Sequence, residues 1–237
     1  MSKNILHCED CNVLKNSFFC KIAFEDQKYL SLNKFCSTYK KGMTIFCSGT
    51  KPVGVYCLKQ GSVKIIIYGT LKEHTIRYIK PGELFGLDSL LTDHNFHCCA
   101  SVTEDAVVCR VNKQDFFNIL SKYPNLTFEL MSLLGKLIEE AEHKIISLAQ
   151  KNVRERTAES LIYFYKLFYD NIRDISSNNY MKNGMYLSRV NIANIVGTST
   201  ETVIRMLSEF KNDGYISIKG RGIFIKDVRG LEKIAGN

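Results

Sequence analysis

Short β-branched and aromatic runs separated by glycines occupy residues 41–111: MTIFC, VGVYCLKQG, VKIIIYG, HTIRYIKPGE and AVVCRV. Such regular short strands with glycine punctuation predict a β-roll or barrel of about eight strands. The period then changes. A helical stretch begins at KQDFFNIL, and Pro124 follows where the start of a next helix best tolerates a missing N–H. From there to Gln150, Met131, Leu134, Ile138, Ala141, Ile145 and Leu148 step alternately by three and four, the spacing of a two-stranded coiled-coil seam. Leu130, Leu133 and Leu137 form a second stripe, expected to pack on the roll. One helix buried on two sides within a monomer is the alternative to a dimer helix.

The run NVRERTAESLIYFYKLFYD keeps the helical period, and the polar NNYMKNGMYLS breaks it. Two short amphipathic segments then flank VGTS, and YISIKGRGIFIKD reads as two strands about a Gly-Arg-Gly turn. Helix, turn, helix and hairpin in this order predict a winged helix-turn-helix. Ser188 and Ser199 are suited to cap the two helices, and Gly197 to make the tight turn between them. Val203, Met206, Leu207 and Phe210 form one apolar stripe. Thr200, Glu201, Ile204 and Arg205, following Ser199, fall on the opposite face, where a recognition helix meets the major groove. Arg205 suits guanine O6 and N7, and Glu201 suits cytosine N4. An ordinary surface pair between Glu201 and Arg205 is the plainer reading of the same spacing. Arg189, Lys219, Arg221 and Lys226 are candidates for phosphate contacts, or simply for a solvated surface.

With 45% hydrophobic and 24% charged residues in 237, the chain has the material for a globular core, and its length favours two domains. The expected class is α+β: a cysteine-bearing arm and β-roll sensor over residues 1–122, a dimerisation helix over 123–150, and a DNA-binding domain over 151–237. More than half of the net charge of +8 falls after residue 150, which agrees with a nucleic-acid partner without establishing one. The chain starts without an apolar leader and contains no long apolar run, so a cytoplasmic protein without a membrane partner is expected. Its nine cysteines, an odd number, then read as reduced thiols or ligands rather than a disulfide framework. Cys98 and Cys99 are not expected to pair, because successive strand residues point to opposite faces.

Three of the nine lie in HCEDCNVLKNSFFC: Cys8, Cys11 and Cys20. Metal ligation is one reading. A structural Cys20 on the apolar face of a leading helix is another. A thiol oxidoreductase using Cys8 and Cys11 is a third, but the arm has no βαβ context to depress a thiol pKa, and no phosphate-cradling loop or nucleophile elbow occurs elsewhere. The chain is therefore not read as an enzyme. His7, His97 and His143 are further candidate ligands, each with an ordinary surface or core role as the alternative.

The order of roll, long helix, LSRVNIANIVGTSTETVIRMLSEFKNDGYI and wing resembles the CRP/FNR superfamily of bacterial transcription regulators over nearly the whole chain. That resemblance implies a cyclic-nucleotide-binding-like, cupin-like roll and a homodimer reading a near-palindromic promoter site, with RNA polymerase as a further partner. Glu201 and Arg205 match the family's base-reading residues; Thr200 and Ile204 fall in slots that vary between subfamilies. The cyclic-nucleotide branch pairs a Gly-Glu-Leu turn with Arg-Ser or Arg-Thr on the next strand. This chain keeps Gly82-Glu83-Leu84 but reads Phe96-His97-Cys98 downstream, and it has Ala141-Glu142 where that branch places hydroxyls on the long helix, so cyclic AMP is not expected. The oxygen-sensing branch, typified by fumarate and nitrate reduction regulators, holds a [4Fe–4S] cluster on three N-terminal cysteines and one strand cysteine. HCEDC resembles the start of that motif, and AVVCRV puts Cys109 at the strand position. The third cysteine, Cys20, stands eight residues beyond Cys11, farther than the family's spacing. A cluster on Cys8, Cys11, Cys20 and Cys109 is the first expectation; zinc, no metal, or haem in the roll stay open.

Overall fold

The structure, a computed structural model, describes residues 8, 11–69, 72–169 and 184–236. It divides into two compact units, residues 1–138 and 139–237, with the division inside one long helix.

In the first unit, short 3-10 turns at Leu14–Asn16 and Phe18–Lys21 lead into α1 (Phe24–Asn33). Strands β1 (Phe35–Tyr39), β2 (Thr44–Phe46), β3 (Gly54–Tyr68), β4 (Glu73–Ile79), β5 (Leu84–Phe85) and β6 (Cys99–Asn112) follow, with α2 (Leu87–Thr92) before β6. The sheet runs β1-β6-β3-β4, with β2 on β6 and β5 on β3, and every pairing is antiparallel. Six described strands stand where about eight are expected, and one of the differences is a glycine that does not make the turn it suggests. Gly61 sits at φ +88° inside the continuous β3, among register shifts between Leu58 and Val63, so VGVYCLKQG and VKIIIYG are one bulged strand. A Cβ at Gly61 would lie 2.3 Å from the Asp105 carbonyl oxygen, so glycine permits the close approach of β6 there.

Strand alternation gives the sheet two apolar faces. Tyr56, Leu58, Ala106 and Val108 face the roll interior, where Phe46 stacks on Phe96 at 3.9 Å and Phe85 stacks on Tyr56 at 5.4 Å. Val55 and Val111 face the other way, toward a second core built from the arm residues Phe19 and Ile22, Leu30 of α1 and Phe116 of α3 (Lys113–Lys122). Leu126 and Leu130 at the start of α4 (Pro124–Gln150) join this arm-side core, and Leu133 and Leu134 pack against it. Leu134, expected in the exposed seam, is thus partly occupied within its own chain.

The odd cysteine count suggests reduced thiols or ligands rather than disulfides, and the structure corrects that reading at one pair: Cys36 and Cys109 form a disulfide. They are directly opposed partners on β1 and β6, with Cα atoms 4.1 Å apart, so their sulfurs meet on one face of the sheet. Cys98 and Cys99 are separate free thiols.

The second unit contains the last turns of α4, then α5 (Val153–Tyr169), α6 (Arg189–Val196), α7 (Thr200–Asn212), the hairpin β7 (Ile216–Lys219) and β8 (Gly222–Ile225), and α8 (Val228–Ala235). Met185 adds a bridge to Ile223 on the β8 side of the hairpin. Arg154 of α5 reaches Glu209 at 2.8 Å and Asp213 at 2.6 Å, and its guanidinium lies 5.0 Å from the Phe210 ring centroid. These contacts tie the outer end of α7 to α5.

The disulfide has a direct count as its test. Protein purified in air and unfolded in denaturant should show seven titratable thiols, rising to nine after reduction. Nine before reduction would contradict the Cys36–Cys109 bond.

Candidate functional site

The helix-turn-helix surface is set by two helix caps and one turn. Ser188 Oγ accepts from the Asn191 amide at the start of α6, and Ser199 Oγ accepts from the Thr202 amide at the start of α7. Each hydroxyl satisfies an amide that the first helical turn leaves without a partner. Gly197 ends α6 at φ +76°, a left-handed conformation open to glycine at little cost. Burial of Val203, Met206, Leu207 and Phe210 fixes the rotation of α7. Glu201 and Arg205 are consequently exposed, Ile204 is 49% exposed, and Thr200 is half-buried on the first turn.

At the other end of α6, two cations hold the helix. Lys144 of α4 donates to the Ile195 carbonyl, and Arg156 of α5 donates through Nε to the Val196 carbonyl at 3.1 Å. The same guanidinium donates to the Lys151 carbonyl, at the end of α4, at 2.6 Å. The last carbonyls of α6 and α4 thus share Arg156, a favourable pairing of cation with the negative end of each helix. Burial lowers the Lys144 pKa, while Glu159 opposes that shift. These anchors give no signal in helical periodicity, because their partners are backbone carbonyls.

The wing residues Lys219, Arg221 and Lys226 are exposed, and the Lys219 ammonium lies 5.9 Å from the Phe224 ring centroid. Arg189 is different. It is half-buried beside the Leu187 carbonyl at 3.4 Å, and burial lowers its pKa. On α4, Met131, Ile138 and Ile145 are 60%, 59% and 66% exposed, and Ala141 and Leu148 are exposed with them.

The thiols gather on the arm side of the first unit. The Cys11 amide donates to the Cys8 carbonyl at 3.0 Å. The Cys8 amide is held by Ser31 Oγ at 2.7 Å, and Lys34 Nζ lies 2.8 Å from Cys8 Sγ. Cys57 of β3 faces this region. Burial, then the negative charges available at Cys11 and Cys8, push its thiol up to about 12 against the opposing effect of Lys34. Cys109 is the direct partner of Cys57 on β6, so Cys36, Cys109 and Cys57 form a row across three neighbouring strands. Cys20, in the second 3-10 turn, bonds through its amide to the Ser17 carbonyl.

Soft sulfur donors beside a lysine fit an anionic iron–sulfur centre, which would supply one-electron and oxygen chemistry when bound. Cys8, Cys11 and Cys57 are the free thiols on this side of the unit that would serve such a centre, and Cys109 is bonded to Cys36. A second constellation joins Asp88, His97 and Cys98, whose ligand atoms lie within 4.8 Å of one another. The His97 ring is 3.2 Å from Asp88, and burial first and Asp88 next push the Cys98 thiol up to about 12, as burial does for Cys57. His143 lies 3.9 Å from Glu139 on exposed helix surface, and His7 falls outside the described residues. Gly82 makes its turn at φ +95°, with Glu83 accepting from the Lys80 amide at 3.0 Å, and buried Phe96 and Cys98 fill the downstream slot.

Comparison with known proteins agrees with this architecture. The cyclic nucleotide-binding domain family matches residues 36–123, and the Crp-like helix-turn-helix domain family matches residues 155–234. The chain is 25% identical to the anaerobic regulatory protein of Haemophilus influenzae, over 98% of this chain and 88% of that one. It is also 25% identical to the fumarate and nitrate reduction regulatory protein of Escherichia coli K12, over 98% and 91%. Among solved structures, the c-di-GMP responsive global regulator of Xanthomonas campestris matches with a TM-score of 0.70 at 19% identity, covering 83% of this chain and 95% of that one. A CRP/FNR-family regulator from Thermus thermophilus matches at 0.69 and 21%, covering 86% and 99%. These relatives are regulators rather than enzymes, and among the described residues no helix is long and apolar enough to cross a membrane. With the roll family on one unit, the helix-turn-helix family on the other and whole-length regulator relatives behind both, the chain belongs to the CRP/FNR superfamily of DNA-binding transcription regulators.

Proposed function

We propose that this regulator is a homodimer that senses a redox or gaseous signal through a [4Fe–4S] cluster at its N-terminal arm, and that the signal alters how the two α4 helices pair. The grouping of Cys8, Cys11 and a roll thiol beside Lys34 carries this reading. The names of the Haemophilus and Escherichia relatives, which speak of anaerobic and fumarate and nitrate regulation, point the same way. The stacked rings of Phe46, Phe96, Tyr56 and Phe85 favour a ligand at the arm over haem or a cyclic nucleotide inside the roll.

The exposed positions Met131, Ile138, Ala141, Ile145 and Leu148 support an α4 seam between two copies. Glu139, Glu140 and Glu142 beside it would repel across a close pair, which suits a dimer that a signal can strengthen or weaken. In such a dimer two copies of α7 would enter successive major grooves about 34 Å apart. Glu201 and Arg205 would read bases, with Ser199, Thr200 and Ile204 beside them. Lys219, Arg221 and Lys226 would hold phosphates. Arg189 supports that role less well, since it already turns toward Leu187.

Protein purified without oxygen should be coloured, contain iron and sulfide, and lose its visible absorption in air together with affinity for its site. A colourless, iron-free preparation would end the cluster reading. Glutamate at the exposed seam should weaken dimerisation of Ile138→Glu by at least tenfold in sedimentation equilibrium, and unchanged association would place the dimer elsewhere. On a near-palindromic site selected by the protein from random DNA, Arg205→Ala should lose about 1–3 kcal/mol of binding, or about 5- to 150-fold. It should also lose discrimination at one base pair of each half-site. A uniform loss across all sequences would make Arg205 a phosphate contact instead.

A further inference from the structure

The strand register makes a thiol of β3 part of the arm's surroundings. Val55 and Cys57 of β3 and Cys109 and Val111 of β6 alternate onto the face that carries the arm-side core, and Cys8 packs against that same core. The arm touches the roll close by. A Cβ at Gly82 would stand 3.2 Å from the Asn16 carbonyl oxygen, and Cys57 Sγ lies 3.9 Å from the Gly82 carbonyl. Lys34 Nζ lies 2.8 Å from Cys8 Sγ, and Cys8 and Cys57 pack against the one arm-side core. Cys20 takes part in none of these contacts. Its 3-10 turn sends Phe19 into the core and Lys21 outward to Glu129.

We propose that Cys57 is a metal ligand of this protein, completing with Cys8, Cys11 and Cys109 a four-sulfur set in which Cys20 has no place. The assignment rests on the cluster reading above and changes its ligand set. Cys8 and Cys11 are joined in the arm by an amide-to-carbonyl hydrogen bond, and Cys57 and Cys109 come from directly opposed positions on two neighbouring strands. Four thiolates suit an iron–sulfur cluster, and Lys34 offsets part of their negative charge. Cys109 enters the set when the Cys36–Cys109 bond is reduced. A dithiol supplies two electrons and two protons, becomes a disulfide itself, and leaves two thiols on the protein. The long interval between Cys11 and Cys20 then needs no stretched loop, because Cys20 is not asked to reach the cluster.

The test uses the full-length protein, with dithiothreitol as the reductant, reconstituted without oxygen from ferrous iron and sulfide. Iron and sulfide per chain, visible absorption and the electron paramagnetic resonance of the reduced sample are read for the wild type, Cys57→Ser and Cys20→Ser. Far-UV circular dichroism of each apoprotein reports folding. Cys57→Ser should lose at least fivefold in iron, or keep a cluster with a displaced resonance, since serine oxygen is a poorer ligand. Cys20→Ser should match the wild type in all three readouts. Wild-type iron and resonance in Cys57→Ser would overturn the assignment while leaving the cluster reading intact. A folded Cys20→Ser that loses its iron would overturn it equally, whatever becomes of the Cys57 variant. A wild type that takes up no iron would overturn the cluster reading and this assignment with it.

Discussion

The antiparallel register of β3 on β6 is the constraint on which the first unit depends. A slip of one residue would exchange the faces of both strands, turning Tyr56, Leu58 and Val108 out of the roll and Cys57 and Cys109 into it. Burial on both faces therefore holds the register twice over. The same alternation that builds two cores also decides which sulfurs the arm can meet. Gly61 lets this long pairing continue, because β3 bulges there beneath a close-lying β6 where a side chain would force the strands apart.

Much of the DNA-reading half was legible in the chain. Capping serines, a glycine between two amphipathic segments and an apolar stripe at 3.6-residue spacing are local signals, and the structure uses each of them as written. The roll was legible in kind but not in strand count, since a glycine inside a bulge and a glycine in a turn look alike along one strand. The sulfur chemistry was the least legible part. Cys8 and Cys11 announce themselves by spacing, whereas Cys57 gains its meaning only from a partner 52 positions away on another strand. The Cys36–Cys109 bond, which replaces the expected free thiols, is invisible for the same reason: its separation of 73 residues carries no local pattern. Leu134 adds a smaller lesson. A heptad position can be drawn onto the protein's own core when a neighbouring stripe, here Leu126 and Leu130, is already buried there.

In the second unit, polar contacts decide how the reading surface is mounted. Apolar burial sets the rotation of α7 about its axis, and Arg154 fastens its far end. The orientation of α6 rests on Lys144 and Arg156, each bonded to a carbonyl that the helix end cannot satisfy internally. Such bonds depend on direction as well as distance, so they hold an angle as firmly as a contact.

Arg156 takes hold of the ends of two helices at once, α4 through Lys151 and α6 through Val196. On the proposed reading, a twist of the last turns of α4 would be passed to α6 by one side chain, whatever the chemistry that started it. Regulation built that way would be interchangeable: another input that turned the same shaft could replace the first, and the output would need no redesign to follow it.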